Sequence, residues 1–225
     1  MDRPPLAKRY QARRCTAEAC GLRFPVEETS DLGASCPLCG VPTERVDAPY
    51  QTFPANRGEP RALTIEVLLD NVRSLTNVGS IFRTADGAGV AHIHLGGITP
   101  TPKHPKLAKT ALGAERSVPW THHPDPCKAA SALAARGHRL WALEANATSA
   151  SVFALETLQA ASGPADATIV LVVGHEVSGV DPRILALCER VVHVPMQGVK
   201  GSLNVGVAFG VVTYTLRHHT GLSNP

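Results

Sequence analysis

The chain has no apolar run long enough to cross a bilayer. Its longest, IVLVV at 169–173, falls far short of the roughly 20 residues a membrane helix needs and reads as a buried strand. No targeting peptide is evident, because MDRPPLAKRYQARRC reaches a cysteine before any apolar run; the expectation is a cytoplasmic protein with no membrane partner. Charge of one sign is also scarce: the net +3 does not by itself establish a polyanionic partner. Glycine and proline, 19 and 18 residues among 225, follow no strict period, which excludes a collagen-like chain and implies many turns. Nucleotide signatures are missing too. GSIFRTADGAG lacks the compact strand–G-x-G-x-x-G–helix arrangement, and in GVKGS the residue after Lys200 is Gly201, with no upstream glycine to complete a phosphate loop. GHEVSG lacks the spacing of a nucleophile elbow, so Ser178 is no evident acyl-transfer nucleophile.

What is present begins with cysteine. Four of the six lie within the first 39 residues, as Cys15-x4-Cys20 and Cys36-x2-Cys39. Two such knuckles can converge four thiolates tetrahedrally on a structural zinc, with Pro37 and Gly40 shaping the second turn. Four thiolates fill the shell, so this module is expected to stabilise rather than catalyse. Reduced unliganded thiols and two disulfides are the alternatives, and a non-secreted chain disfavours the second. Cys127 and Cys188 read as small apolar residues. These features divide the chain into a zinc-ribbon-like module at 1–45, a Pro- and Gly-containing linker at 46–62, and a main domain at 63–225. Local positive charge gathers at Lys8, Arg9, Arg13 and Arg14 and again at Lys103, Lys106 and Lys109. Each group is either a solvated run or a set of phosphate contacts.

From Leu63 onward apolar strands alternate with helical patterns. LTIEVLLDNV, AHIHLGG, SVPWTHH, RLWALEA, TIVLVVG and RVVHVPM read as strands; SIFRTADGAGV, KLAKTALGAE, CKAASALAARG, DPRILALC and the stretch from Ser202 to His219 read as helices, with a partial helix in SVFALETLQAASGP. Strands buried on both faces and separated by helices indicate an α/β domain with a mostly parallel sheet. Such sheets bind ligands beyond the carboxyl ends of their strands, where Asn77–Thr84, Gly174–Gly179 and Pro195–Asn204 fall.

Those three segments carry N-x-G-x-x-x-R-T-A at Asn77–Ala85, G-x-E-x-x-G at Gly174–Gly179 and P-M-x-G-x-x-x-S-L-N-V at Pro195–Val205. In that order they resemble the TrmH/SpoU branch of the SPOUT-class RNA methyltransferases, over roughly Leu63 to His219. The resemblance implies a trefoil-knotted domain, S-adenosylmethionine as cofactor, a homodimer, and methylation of a ribose 2′-hydroxyl of tRNA or rRNA. Methylation of an RNA base and a catalytically silent RNA-binding homologue are the alternatives. By the same resemblance Arg83, Asn77, Glu176, Ser202 and Asn204 are the catalytic set, with Arg83 clamping the phosphate beside the target ribose and Ser202 also suited to cap the last helix. Glu144, Val173, Gly174, Val194, Met196, Gly198 and Leu203 are the expected cofactor contacts, and Gly179 is expected to allow close backbone approach. Lys103, Lys106, Lys109 and Arg116 become candidate RNA contacts, and Trp120 either stacks on a base or packs in the core. One departure stands out: where this branch often carries a substantial RNA-recognition extension, the chain has the compact four-cysteine module. That module can present Arg9, Arg13, Arg14 and Arg23 to RNA or serve only as a brace.

Overall fold

The structure is a computed structural model that describes residues 8–51, 63–161 and 167–219. The opening heptapeptide, most of the expected linker and the end of SVFALETLQAASGP lie outside the described residues. Two compact units are present, Met1–Glu59 and Pro60–Pro225.

The first unit is an antiparallel sheet of β1 (Arg9–Cys15), β2 (Arg23–Glu27) and β3 (Thr43–Gln51), in the order β2-β1-β3. β3 runs past position 45, where the sequence reading ended the module, because Tyr50 and Gln51 still pair with Tyr10 and Arg9. Gly40, at φ 75°, closes the turn after Cys36 by donating its N–H to the Cys36 carbonyl. The four sulfurs of Cys15, Cys20, Cys36 and Cys39 all lie within 4.8 Å of one another and form a group able to hold a metal ion. Most of the module's basic side chains are occupied internally. Lys8 pairs with Glu27, Arg9 with Glu28, Arg14 with Glu44 and Arg23 with Asp47, while Arg13 donates to the Thr43 hydroxyl and carbonyl. One of the two readings of this module, a cationic face toward RNA, therefore meets basic side chains that are largely paired with the module's own carboxylates.

The second unit follows the expected α/β class. Its strands β4 (Thr64–Asp70), β5 (His92–Gly96), β6 (Trp120–His123), β7 (Arg139–Leu143), β8 (Ala150–Ser151), β9 (Thr168–Val173) and β10 (Arg190–His193) form one parallel sheet, in the order β6-β5-β4-β9-β7-β10-β8. The central strands are apolar on both faces, as a sheet covered on both sides requires. Ile65, Val67 and Leu69 pack with Ile81, Phe82, Phe209 and Val212 on one face, while Leu68, Val170 and Val172 pack with Ala130, Leu133 and Ile184 on the other. The first face carries α1 (Leu75–Ala88), the single turns α2 (Ala108–Ala111) and α3 (Ala114–Ser117), α5 (Leu155–Ala161) and α7 (Val205–His218); the second carries α4 (Pro126–Ala135) and α6 (Pro182–Leu185).

α1 and the segment after it differ from the sequence reading. α1 begins at Leu75 rather than Ser80, because Ser74 accepts from the Asn77 N–H as an N-cap. Asn77 therefore sits in the first helical turn. The segment KLAKTALGAE is two single turns, broken where Leu112 (φ 53°) and Gly113 (φ 98°) enter the left-handed region. The motif glycine Gly79 faces α2, where an added Cβ would come 2.6 Å from the Thr110 Cβ and 3.0 Å from the Ala111 nitrogen. Gly79→Ala should therefore force the α1–α2 contact apart and cost about 1–3 kcal/mol, measured as a lower urea midpoint at unchanged slope; an unaltered midpoint would show that α2 yields freely.

Candidate active site

A cavity of about 410 Å3 opens at the carboxyl ends of β7, β9 and β10. Its polar wall is Asn77, Glu144, His175, Glu176, His193, Ser202 and Asn204, and its apolar wall includes Leu143, Val194, Leu203, Val205 and Ala208. The wall draws on all three sequence motifs.

Glu176 joins them. One carboxylate oxygen accepts the Arg73 N–H at 3.0 Å, and the other accepts the Ser74 N–H at 2.9 Å and the Asn77 Nδ2 at 3.0 Å. Asn77 in turn accepts at Oδ1 from the Asn204 Nδ2 at 2.9 Å. Burial alone would push the Glu176 carboxyl up, but the amides of Arg73, Ser74 and Glu176 itself, with Asn77, outweigh it and hold the group at about 2. A carboxylate so engaged is a poor proton acceptor. Its work here is to fix the N-terminal turn of α1 against the Gly174–Gly179 loop.

Asn204 also caps α7: its Oδ1 accepts from the Gly206 N–H at 2.9 Å and the Val207 N–H at 3.4 Å. The capping role expected of Ser202 thus belongs to Asn204, since the helix begins at Val205, two residues further along than a Ser202 cap requires. Ser202 is exposed and lines the cavity. At Gly174 an added Cβ would overlap the backbone between Gly179 and Val180. The close approach this glycine permits is therefore to the chain itself, closing the loop under the cavity. Gly179, at φ 73°, leaves room for Glu144, which accepts the Val180 N–H at 3.0 Å.

The other expected contacts fall elsewhere. Val173 is fully buried in the core, which leaves its side chain no route to a ligand. Met196 is half-buried, Gly198 is exposed, and neither is part of the cavity wall. Arg83 is exposed on α1, outside the wall, and its side chain has no hydrogen bond or ion pair among the described residues. Trp120 is partly buried against the core. Lys103, Lys106, Lys109 and Arg116 are all exposed on the α2–α3 segment or the loop leading to it.

Two polar wall residues escaped the sequence reading. His175 accepts at Nδ1 from the Val177 and Ser178 amides, so its ring proton sits on Nε2. His193 meets the Ser149 hydroxyl at 2.9 Å; that hydroxyl spends its proton on the Asn146 carbonyl, so His193 donates from Nδ1 and an uncharged ring keeps its lone pair at Nε2. Their signal was present as polar residues at or next to strand ends, but histidine is not part of the motifs.

The family model described as the SpoU rRNA Methylase family matches residues 64–214. The 23S rRNA (guanosine(2553)-2′-O)-methyltransferase of Bacillus subtilis is 30% identical over 153 residues, 67% of this chain and 57% of that protein. The tRNA (guanosine(18)-2′-O)-methyltransferase of Thermus thermophilus is 31% identical over 150 residues, 67% of this chain and 72% of that protein. The crystal structure of an AdoMet-bound rRNA methyltransferase from Sinorhizobium meliloti matches with a TM-score of 0.61 at 25% identity, over 70% of this chain and 57% of that one. The chain thus spans less than two thirds of the Bacillus and Sinorhizobium proteins.

The Glu176 clamp has a pH signature. Its folded-state value of about 2 lies below the ordinary 4.5, so its stabilisation is present at neutral pH and is lost as pH falls from 4.5 through about 2. Glu176→Gln should destabilise the protein at neutral pH by about 1 kcal/mol, given solvent screening at this exposed group. In thermal melts the difference from the parent should close across that acid window; a constant difference would show that the charge does not hold the loops.

Proposed function

Since the chain belongs to the SpoU rRNA methylase family, we propose that it transfers a methyl group from S-adenosylmethionine to a ribose 2′-hydroxyl of tRNA or rRNA. The observation that carries this reading is the hydrogen-bonded series Asn204–Asn77–Glu176, which unites the three motifs on the wall of one cavity. A volume near 410 Å3 lies within the roughly 300–1,000 Å3 typical of small-molecule sites. Its mixed wall suits a ligand with an apolar ring and polar ends. When bound, S-adenosylmethionine supplies an electrophilic methyl group.

The protein's share is orientation. Glu144 and His175 offer polar contacts at one end, while Leu143, Val194 and Leu203 cover an aromatic face. Met196, Gly198 and the Val173 backbone complete the cofactor contacts in this reading. Ser202 and Asn204 hydrogen-bond near the ribose. Arg83 acts through its charge: its planar fork holds the phosphate next to the target hydroxyl. Its lack of a carboxylate partner among the described residues leaves that fork available. Lys103, Lys106, Lys109 and Arg116 extend the phosphate track. The relatives act on both rRNA and tRNA, and either substrate satisfies these contacts.

In the same reading the chain works as a homodimer in the cytoplasm. Val207 and Tyr214, 53% and 42% exposed on α7, offer apolar surface to a second copy. No described helix is long and apolar enough to cross a membrane. The four-cysteine group holds a structural zinc. A tetrahedral site with bonds of about 2.3 Å places its sulfurs about 3.8 Å apart; Cys15–Cys39 and Cys20–Cys36 are separated by 3.4 and 3.8 Å.

Labelled methyl from S-adenosylmethionine should appear in total RNA as a 2′-O-methyl nucleotide. Label in a base would select base methylation, and cofactor binding without label in tRNA or rRNA would select the silent homologue. Arg83→Ala should lower turnover by about 100-fold or more, a loss of roughly 3 kcal/mol of transition-state stabilisation, while cofactor affinity is retained; loss of cofactor affinity alone would move Arg83 to the other part of the site. For the metal, elemental analysis should find about one zinc per chain, and cobalt exchange should give thiolate-to-metal absorption that Cys36→Ser weakens. A chain that folds fully after chelation would overturn the structural role.

A further inference from the structure

A second cavity, of about 510 Å3, opens on the α4 face of the sheet and shares no wall residue with the first. Its polar wall is His94, His123, Asp125, Lys128 and Arg136. Behind it runs a hydrogen-bonded series that begins in the sheet. Glu66 on β4 meets the His94 Nε2 at 3.0 Å, and the His94 Nδ1 meets the His123 Nε2 at 3.0 Å. His94 is only 8% exposed. The His94 hydrogen bond holds the Glu66 carboxyl below its usual range despite burial. An ionised carboxylate can only accept, so His94 carries its proton on Nε2. When both rings are uncharged, the His94 Nδ1 accepts from the His123 Nε2–H, and the His123 Nδ1 keeps a lone pair. A proton added at the His123 Nδ1 can be shared along the series, where the Glu66 carboxylate compensates the positive charge.

The charge around this series is unbalanced. Lys128 on α4 and Arg136 at its C-cap are exposed, and their side chains form no ion pair or hydrogen bond among the described residues. The one carboxylate on the wall, Asp125, is engaged as the α4 N-cap, accepting at Oδ1 from the Cys127 and Lys128 amides at 2.9 and 3.1 Å. A histidine series whose only task is to satisfy buried polar groups needs no cavity with two uncompensated cations at its open end.

We propose that this cavity is a binding site for a phosphate-class oxyanion, held by Arg136 and Lys128 and by a donor hydrogen bond from protonated His123. Arginine supplies the planar fork and lysine a point charge. The groups acting on His123 set the pH behaviour. Burial disfavours its charged form first, then His94, His122, His92 and Arg136, with Lys128 adding the same sign from α4. Glu66 and Asp125 act oppositely, and a bound dianion adds to them. Binding therefore strengthens as pH falls through the histidine range. The phosphate group can arrive free or on a nucleotide.

Inorganic sulfate, whose charge is constant over this range, tests the site. It is titrated into the full chain while the ring resonances of His123 and His94 are followed. Saturable shifts are expected, with affinity about tenfold higher near pH 5.5 than near pH 8, the scale of one charge-assisted hydrogen bond. Arg136→Gln and Lys128→Gln should each weaken binding several-fold, and His123→Gln should remove the pH dependence. A nucleoside 5′-monophosphate bound more tightly than sulfate, read at the same resonances, would identify a nucleotide-borne phosphate; equal affinities would identify the free oxyanion. Shifts that never saturate, that persist unchanged in both exposed-residue variants, or that ignore pH would overturn the proposal. Should His123→Gln fail to fold, the two exposed variants still decide it.

Discussion

The site depends on where one carboxylate goes. Glu176 leaves the carboxyl end of β9, yet it is satisfied by amides and a side chain more than ninety positions earlier in the chain. An ionised side chain with several donors accumulates enough favourable contacts to outweigh its partial burial, and this is what fixes the entry of α1. With that turn fixed, Asn77 can meet Asn204 only if α7 starts where it does. The position of the last helix is therefore set by a contact made at the first one.

Packing then supports what the polar contacts begin. α1 and α7 lie side by side with small or hydroxyl-bearing residues between them: Gly206 faces Ser80 and Gly210 faces Thr84. At the far end Arg217 donates to the carbonyls of Leu63, Ala88 and Gly89, and the last two are acceptors that the end of α1 would otherwise leave open. The α7 helix is thus tied to its neighbour at both ends. The pair presents Phe82 and Phe209 to the sheet as a shared core.

Much of this was legible in the sequence, for specific reasons. Runs such as IVLVV announce a strand buried on both faces, and the paired cysteines announce their own convergence. The ordered motifs located the cavity because loops at strand ends have few other reasons to combine glycine, acid and amide. Strand order was not legible: in a parallel sheet every strand looks alike, and the sequence does not say that β9 lies between β4 and β7. Capping was misplaced because Ser202 and Asn204 are both good N-cap residues, and only the backbone decides between them. The arginines of the first unit looked available because their partners, Glu28, Glu44 and Asp47, become neighbours only once the three-stranded sheet forms. The Glu66–His94–His123 series was hidden for the same reason, since its members sit on three strands and share no motif.

Asn204 uses its two side-chain ends for different tasks, Oδ1 to start α7 and Nδ2 to reach Asn77. Helix initiation and assembly of the cavity wall are therefore one cooperative event. A chain whose last helix has frayed has no partly built wall to offer, so a misfolded or truncated copy would be silent rather than promiscuous.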